Sequence, residues 1–318
     1  LQFTADYFFK RTDGMLIEMP VPTYLGESKP WGNVGSMSNT GVELDLSYRY
    51  SIGDFNFSVG ANATYIKTLL INAGNESGIL DRGSVHQMGT IIRGENGQPF
   101  PYFFGYKTDG VFQNWGEVYA YTNAEGKLVQ PDAQPGDFRY QDINGDGSIT
   151  AEGDRTNLGK CVPSWTYGIN ASIDWKGIDF SMVWQGVAGN KIFDATRRTD
   201  IPTMNQPKYV LNRWTGEGST NDYPRFTVTD PNQNWSKASD FFIKDASYFR
   251  LKNVTLGYTL PVNWTNKIFV KKFRVYVACE NALTFTKYDG FDPEIADYVD
   301  RGIYPQARTV QFGANITF

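Results

Sequence analysis

Eight stretches of this chain alternate apolar and polar residues with period two, and their connections alternate strictly between short and long. Period two puts successive side chains on opposite faces of a strand. The first stretch sets Phe3, Ala5, Tyr7 and Phe9 against Gln2, Thr4 and Asp6. The second sets Val42, Leu44, Leu46, Tyr48 and Tyr50 against Glu43, Asp45, Ser47 and Arg49. The third runs from Phe55 to Tyr65, the fourth from Trp165 to Trp175, the fifth from Ile178 to Trp184 and the sixth from Tyr248 to Leu260. The seventh runs from Phe273 to Glu280 and the eighth from Thr309 to Phe318. Strands two and three join through Ser51-Ile52-Gly53-Asp54, strands four and five through Lys176-Gly177, and strands six and seven through about a dozen residues containing Pro261. The other connections, near 11–40, 66–163, 187–246 and 286–306, are long. A membrane barrel has short turns at its periplasmic end and long loops outside. A soluble sandwich has no reason to gather its long loops at one end.

Loop length also gives each strand a direction, and with it a depth for each aromatic residue. Tyr48, Tyr50, Phe55, Phe57, Trp175, Tyr258 and Phe318 fall at the short-turn end, and Tyr7, Phe9, Tyr65, Trp165 and Tyr167 at the long-loop end. Smaller residues such as Val59, Ala61, Ile169 and Ala171 lie between. Two aromatic girdles around an aliphatic band suit lipid. The core of a soluble barrel could hold the same residues without sorting them by depth. The expected fold class is therefore all-β: a transmembrane antiparallel β-barrel segment with long extracellular loops.

Bulk composition agrees. There is no apolar run near 18 residues, so no spanning helix is expected. The mean hydropathy of −0.42 does not count against a barrel, since only alternate residues face lipid. The net charge is −4 with no basic patch, so no nucleic-acid partner is expected. Cys161 and Cys279 read as free thiols, and His86, with no Cys, Ser or Asp around it, as a surface residue. Asp292 with Glu294, and Glu43 with Asp45, stand two apart, which shares a strand face and does not make an acid–base pair. No catalytic residue is assigned. The loop aromatics Phe103, Phe104, Tyr106, Trp115, Trp214 and Trp235 would either stack on cargo or pack the loops together. The opening Leu1-Gln2-Phe3 already alternates, so the chain reads as a piece of a longer protein.

The longest connection, 66–163, carries "DINGDGSITAEGD". Asp142, Asn144 and Asp146 stand at positions 1, 3 and 5 of a calcium-type loop, with Gly147 at the sharp turn. The Ser148 carbonyl follows, and Ile149 is placed to anchor the loop in a short strand. Position 12 is Gly153, so the closing carboxylate is Glu152 or Asp154. These six residues, Asp142, Asn144, Asp146, Ser148, Glu152 and Asp154, are the expected calcium ligands, in a structural role. The rival for the loop is a polar turn that binds nothing. The rival for the chain is a soluble secreted calcium-binding β-protein that holds glycans.

Four stretches in order carry a family resemblance. They are "NVGSMSNTGVELDL" (33–46), "GDFRYQDINGDGSITAEGDRTNLGKCVPSWTYGI" (136–169), "YFRLKNVTLGYTLP" (248–261) and "FRVYVACENALTFTKYDGFDPE" (273–294). The terminal "VQFGANITF" is similar to an assembly signal at the end of a barrel. Over 1–318 the chain resembles the C-terminal part of SusC/RagA-like TonB-dependent outer-membrane transporters. The resemblance implies the last eight strands of a plugged barrel of about 22. It implies TonB contact through an N-terminal part, a SusD-like surface lipoprotein over the mouth, and an oligosaccharide or peptide cargo. The site of the whole would be the outer membrane of a Gram-negative bacterium.

Overall fold

The computed structural model describes residues 1–18, 30–86, 88–198 and 204–318. The tip of the first long connection, a few residues of the third, and Gln87 lie outside these. One antiparallel sheet of eight strands organises the chain, each strand pairing with the next in sequence order. The strands are β1 (Gln2–Glu18), β2 (Trp31–Ile52), β3 (Phe55–Asn72), β4 (Trp165–Trp175), β5 (Ile178–Ala188), β6 (Tyr248–Thr259), β7 (Lys272–Thr286) and β8 (Thr309–Thr317). All eight expected strands are present. The first three run longer than their alternation suggested: β2 extends through the polar Ser36–Thr40 stretch, and β1 and β3 extend until Ile17 and Leu70 meet in a small buried cluster. The second long connection consequently begins after Asn72.

The register keeps like residues in rows. Tyr50, Phe57, Ile173, Phe180, Leu256, Val277 and Phe312 are directly opposite one another across seven strands. One step along, Arg49, Ser58, Ser172, Ser181, Thr255, Ala278 and Gln311 form a row of the opposite face. Cross-strand neighbours at this separation pack or hydrogen-bond directly, as the Ser58 and Ser172 hydroxyls do at 2.8 Å. The β4–β5 hairpin turns on Lys176 and Gly177, whose φ angles of 47° and 87° are the left-handed pair that matches the twist of the strands.

Among the described residues no second layer covers the apolar face. Phe3, Tyr7, Leu46, Trp175, Leu256 and Phe312 are all exposed. At the short-turn end Trp175 pairs with Phe55 and Ile178, while Tyr48, expected beside them, falls opposite Val59, which itself faces Ala171. At the long-loop end Tyr65 lies 5.0 Å from Trp165. Phe249 and Phe285 extend that girdle, Phe249 stacking 4.7 Å from Trp184.

The core lies in the loops. The 73–164 connection builds a four-stranded sheet from Ile79–Ser84, Thr90–Glu95, Tyr102–Tyr106 and Arg155–Lys160, and a ribbon from Thr108–Val111 and Phe138–Tyr140. Lys191–Asp194 of the next loop pairs with Ile243–Asp245 and, in parallel, with Val299–Asp300 of the last loop. Phe103, Ile91, Phe193, Phe242 and Val299, drawn from three loops, form one buried cluster. Phe103, Phe104, Tyr106 and Trp235 are buried, so these aromatics pack the lobe. His86 is not a surface residue as expected. It is half-buried, with its Nε2 3.3 Å from the Ala195 carbonyl, because the 189–247 loop folds over it. Both cysteines are free, as expected.

A Cβ on Gly41 would run into the Tyr65 carbonyl oxygen and the Phe8 ring. Gly41→Val is expected to lower stability by about 1–3 kcal/mol, the usual cost of overpacking. Denaturant unfolding in detergent checks this. A midpoint equal to wild type would show that β2 tolerates a side chain there.

Candidate functional site

Two features of the polar side stand out: an ion-pair cluster on the sheet and the acidic loop above it.

The cluster begins with a β-bulge. Strict alternation backwards from Val254 would place Lys252 and Arg250 on the apolar face. The pairing instead skips Lys252, so Leu251 lies opposite Trp184 and Arg250 opposite Gln185. The bulge turns Arg250 to the polar face, where the chain can pair its charge. Arg250 is almost fully buried. It donates to Asp292 Oδ1 at 2.7 Å, Glu294 Oε2 at 2.7 Å and Thr284 Oγ1 at 2.9 Å. Lys252 Nζ reaches the same Glu294 at 2.7 Å. The other Asp292 oxygen accepts from the Gln306 backbone N–H. The two acids flagged by their spacing are therefore a clamp that holds the 287–308 loop to the polar face. Sequence reasoning missed Arg250 and Lys252. The signal was there: two cations on a face that should be apolar demand a bulge.

A second buried network joins the two largest loops. Asp137, wholly buried, accepts from Arg225 Nε at 2.6 Å, Arg225 Nη2 at 3.0 Å, Asn234 Nδ2 at 2.8 Å and the Gln134 backbone N–H at 2.8 Å. Asp240 accepts from both the N–H and the hydroxyl of Thr108. Burial pushes the Asp240 carboxyl above its ordinary pKa, and the Thr108 bonds oppose this. The Lys237 ammonium, packed over the Tyr140 ring, is pushed down by burial. Buried carboxylates partnered as Asp137 and Asp240 are fix one arrangement of the loops.

The acidic loop is curled by its own amides. Asp142 accepts from the Gly145 and Gly147 N–H groups at 2.7 and 2.8 Å. Asn144 accepts from the Asp146 N–H at 3.0 Å and donates to Asp146 Oδ2 at 2.7 Å. Ser148 donates to Asp146 Oδ1 from both its N–H and its hydroxyl. The Asn144 and Ser148 bonds hold the Asp146 carboxyl below its usual range. Asp154 is buried and closes the loop, accepting from Ile143 N–H at 2.8 Å and Thr150 N–H at 2.7 Å. Glu152 is exposed. Ile149 forms no strand, contrary to expectation. It packs instead on the Tyr106, Val111, Phe138 and Tyr140 cluster, an apolar anchor that leaves its backbone irregular. Among the described residues no three His, Cys, Asp or Glu groups are gathered as a metal cluster.

The fold has solved counterparts. The structure of the RagAB peptide transporter matches 99% of this chain and 33% of its own, with a TM-score of 0.77 and 25% identity. TonB-dependent receptor P3 of Formosa agariphila is 30% identical over 338 aligned positions, covering all of this chain and 32% of the relative. TonB-dependent receptor SusC of Bacteroides thetaiotaomicron is 24% identical, covering 98% of this chain and 30% of the relative. The chain is a segment of a SusC/RagA-like TonB-dependent receptor. It spans about one third of the length of the curated relatives it matches. No family model matches. In this SusC/RagA-like segment the eight strands form wall and the connections form the lobe above it.

Arg250→Met leaves the Asp292 carboxylate buried without its partner, a change that costs on the order of 3–5 kcal/mol. Hydrogen exchange should then quicken across 287–308 and stay slow in β4 and β5. Unchanged protection of 287–308 would show that the clamp does not hold the loop.

Proposed function

We propose that the whole protein imports a nutrient, an oligosaccharide or a peptide, across the outer membrane. In this reading β1–β8 are part of a lipid-facing barrel wall, and the loops shape its extracellular mouth. A SusD-like surface lipoprotein caps the mouth, and TonB supplies the drive through a part of the protein outside this chain. The observation that carries the reading is the uncovered apolar face. Its rows are continuous over seven strands. A soluble protein rarely exposes so large an apolar patch. A bilayer covers one at no cost in protein, and leaves the polar face, with its Arg250 clamp, lining the lumen.

We further propose that the Asp142 loop takes a structural calcium ion. The donor set is all oxygen, from Asp142, Asn144, Asp146 and Ser148, with Glu152 or Asp154 closing it, and that chemistry suits calcium. The Gly145 and Gly147 amides already turn the chain around Asp142. An ion there would oppose the entropy of a long loop.

Two measurements test these readings. Leu46→Arg puts a cation in the middle of the apolar band, at about 2–4 kcal/mol near a bilayer midplane. Ser47→Arg, one residue on, faces the lumen. The first should sharply reduce the protein recovered in detergent-extracted outer membranes and the second should not. Equal recovery, or wild type found in the periplasm or medium, would sink the barrel reading in favour of a secreted protein. For calcium, intact cells are treated with protease with and without chelator. Wild type should be cut near 142–154 only with chelator, and Asp142→Ala/Asp146→Ala in both conditions. Extracellular sites can have a Kd on the order of 10⁻⁴ to 10⁻³ M, so millimolar calcium is the reference. Cleavage of wild type that ignores the chelator would leave the polar-turn reading.

A further inference from the structure

The short-turn end of the sheet carries a feature that import does not use. Between β6 and β7 the chain forms a helical turn, Val262–Thr265, followed by a tighter one, Asn266–Ile268. Thr265 and Val270 are buried and seat this segment at the foot of the wall. Val262, Trp264 and Phe269 point away from it, exposed by 56%, 64% and 89%. Phe269 also adopts a left-handed conformation, φ 59°. That conformation is costly for a bulky side chain and persists where the surroundings repay it. Lys267, Lys271 and Lys272 are exposed beside these rings, and no acidic residue occurs between Leu260 and Phe273.

Two observations identify what covers these rings. The apolar face of the sheet runs into them. Tyr258 and Leu260 lead down to the segment, and Phe273, opposite Ile316 of β8, leads back up. The surface that covers the sheet therefore continues here. The charge is uniformly positive, which suits a surface of phosphates. Amphipathic segments with aromatic residues on one side and lysines on the other lie in the membrane interface. Tryptophan settles at headgroup depth, and lysine stems reach outward from there.

We propose that Pro261–Lys271 is an interfacial anchor. Val262, Trp264 and Phe269 insert among the acyl chains of the phospholipid leaflet at the short-turn end, and Lys267 and Lys271 meet its phosphate headgroups. The proposal rests on the membrane reading above.

The test uses the full-length receptor with Cys161→Ser and Cys279→Ser, reconstituted in vesicles of phosphatidylethanolamine and phosphatidylglycerol. Nitroxides are placed by Trp264→Cys or Phe269→Cys, with Phe312→Cys as a reference on the exposed apolar face and Asp54→Cys as a turn reference. Relaxation by oxygen and by a water-soluble nickel chelate reports depth. Labels at 264 and 269 should favour oxygen, as at 312, and the label at 54 should favour nickel. If 264 and 269 match 54 while 312 favours oxygen, the anchor is overturned and the barrel stands. If 312 also favours nickel, the membrane reading itself fails. Adding Lys267→Glu and Lys271→Glu should abolish the oxygen preference at 269. Its persistence would overturn the headgroup contact. If the label at 269 is shielded from both reagents, a protein partner covers the segment and the lipid proposal falls.

Discussion

A hydrogen-bonded ladder that keeps one register from strand to strand underlies every other feature. Strand amides away from water must pair with a neighbouring strand, and a continuous ladder pairs them. Because side chains alternate with period two, a slip of one residue would turn a whole row to the wrong face. The rows through Phe180 and Ser181 show that no slip accumulates between β2 and β8. The one interruption in β6 is placed where Arg250 and Lys252 would otherwise face the apolar side.

The sheet holds the smaller share of the buried core, chiefly Ile17, Leu70, Tyr248 and Leu251 near its long-loop end. Most large side chains of its apolar face are exposed, and the opposite face is polar. The close packing lies in the lobe, where Phe103, Phe193 and Phe242 meet. The two regions thus rest on different physics: matched rows in the wall, aromatic packing and paired buried charges in the lobe. The Arg250 clamp joins them, tying the last loop to the wall by a guanidinium that serves two carboxylates.

What could be read from the sequence follows the same division. The strands were legible because period two is a local signal, and β4 begins and ends where its alternation does. The outer parts of β1–β3 were hidden, since a polar strand such as Ser36–Thr40 shows no contrast between faces. The bulge at Lys252 was hidden because the alternation on either side is sound and only the phase changes. The lobe was illegible. Pairing of Phe193 with Val299 joins residues far apart in sequence, and neither stretch announces the other. Of the expected metal residues, the oxygen donors of 142–148 are drawn into one local curl. Asp154 is spent on the Ile143 and Thr150 amides, and Glu152 stands outside.

The parallel pairing of Lys191–Asp194 with Val299–Asp300 also makes the lobe depend on the far end of the chain. The lobe's largest cluster includes Val299, which follows β7 in the chain. Residues 85–103 and 193–242 can be complete and still lack one wall of their core until 299 is delivered. Contacts between such distant residues form slowly, because the chain between them must first be organised. The lobe's largest cluster is therefore closed by a residue that follows seven of the eight strands in the chain. Displacing 299 would open that cluster from its far side, however well the strands had paired.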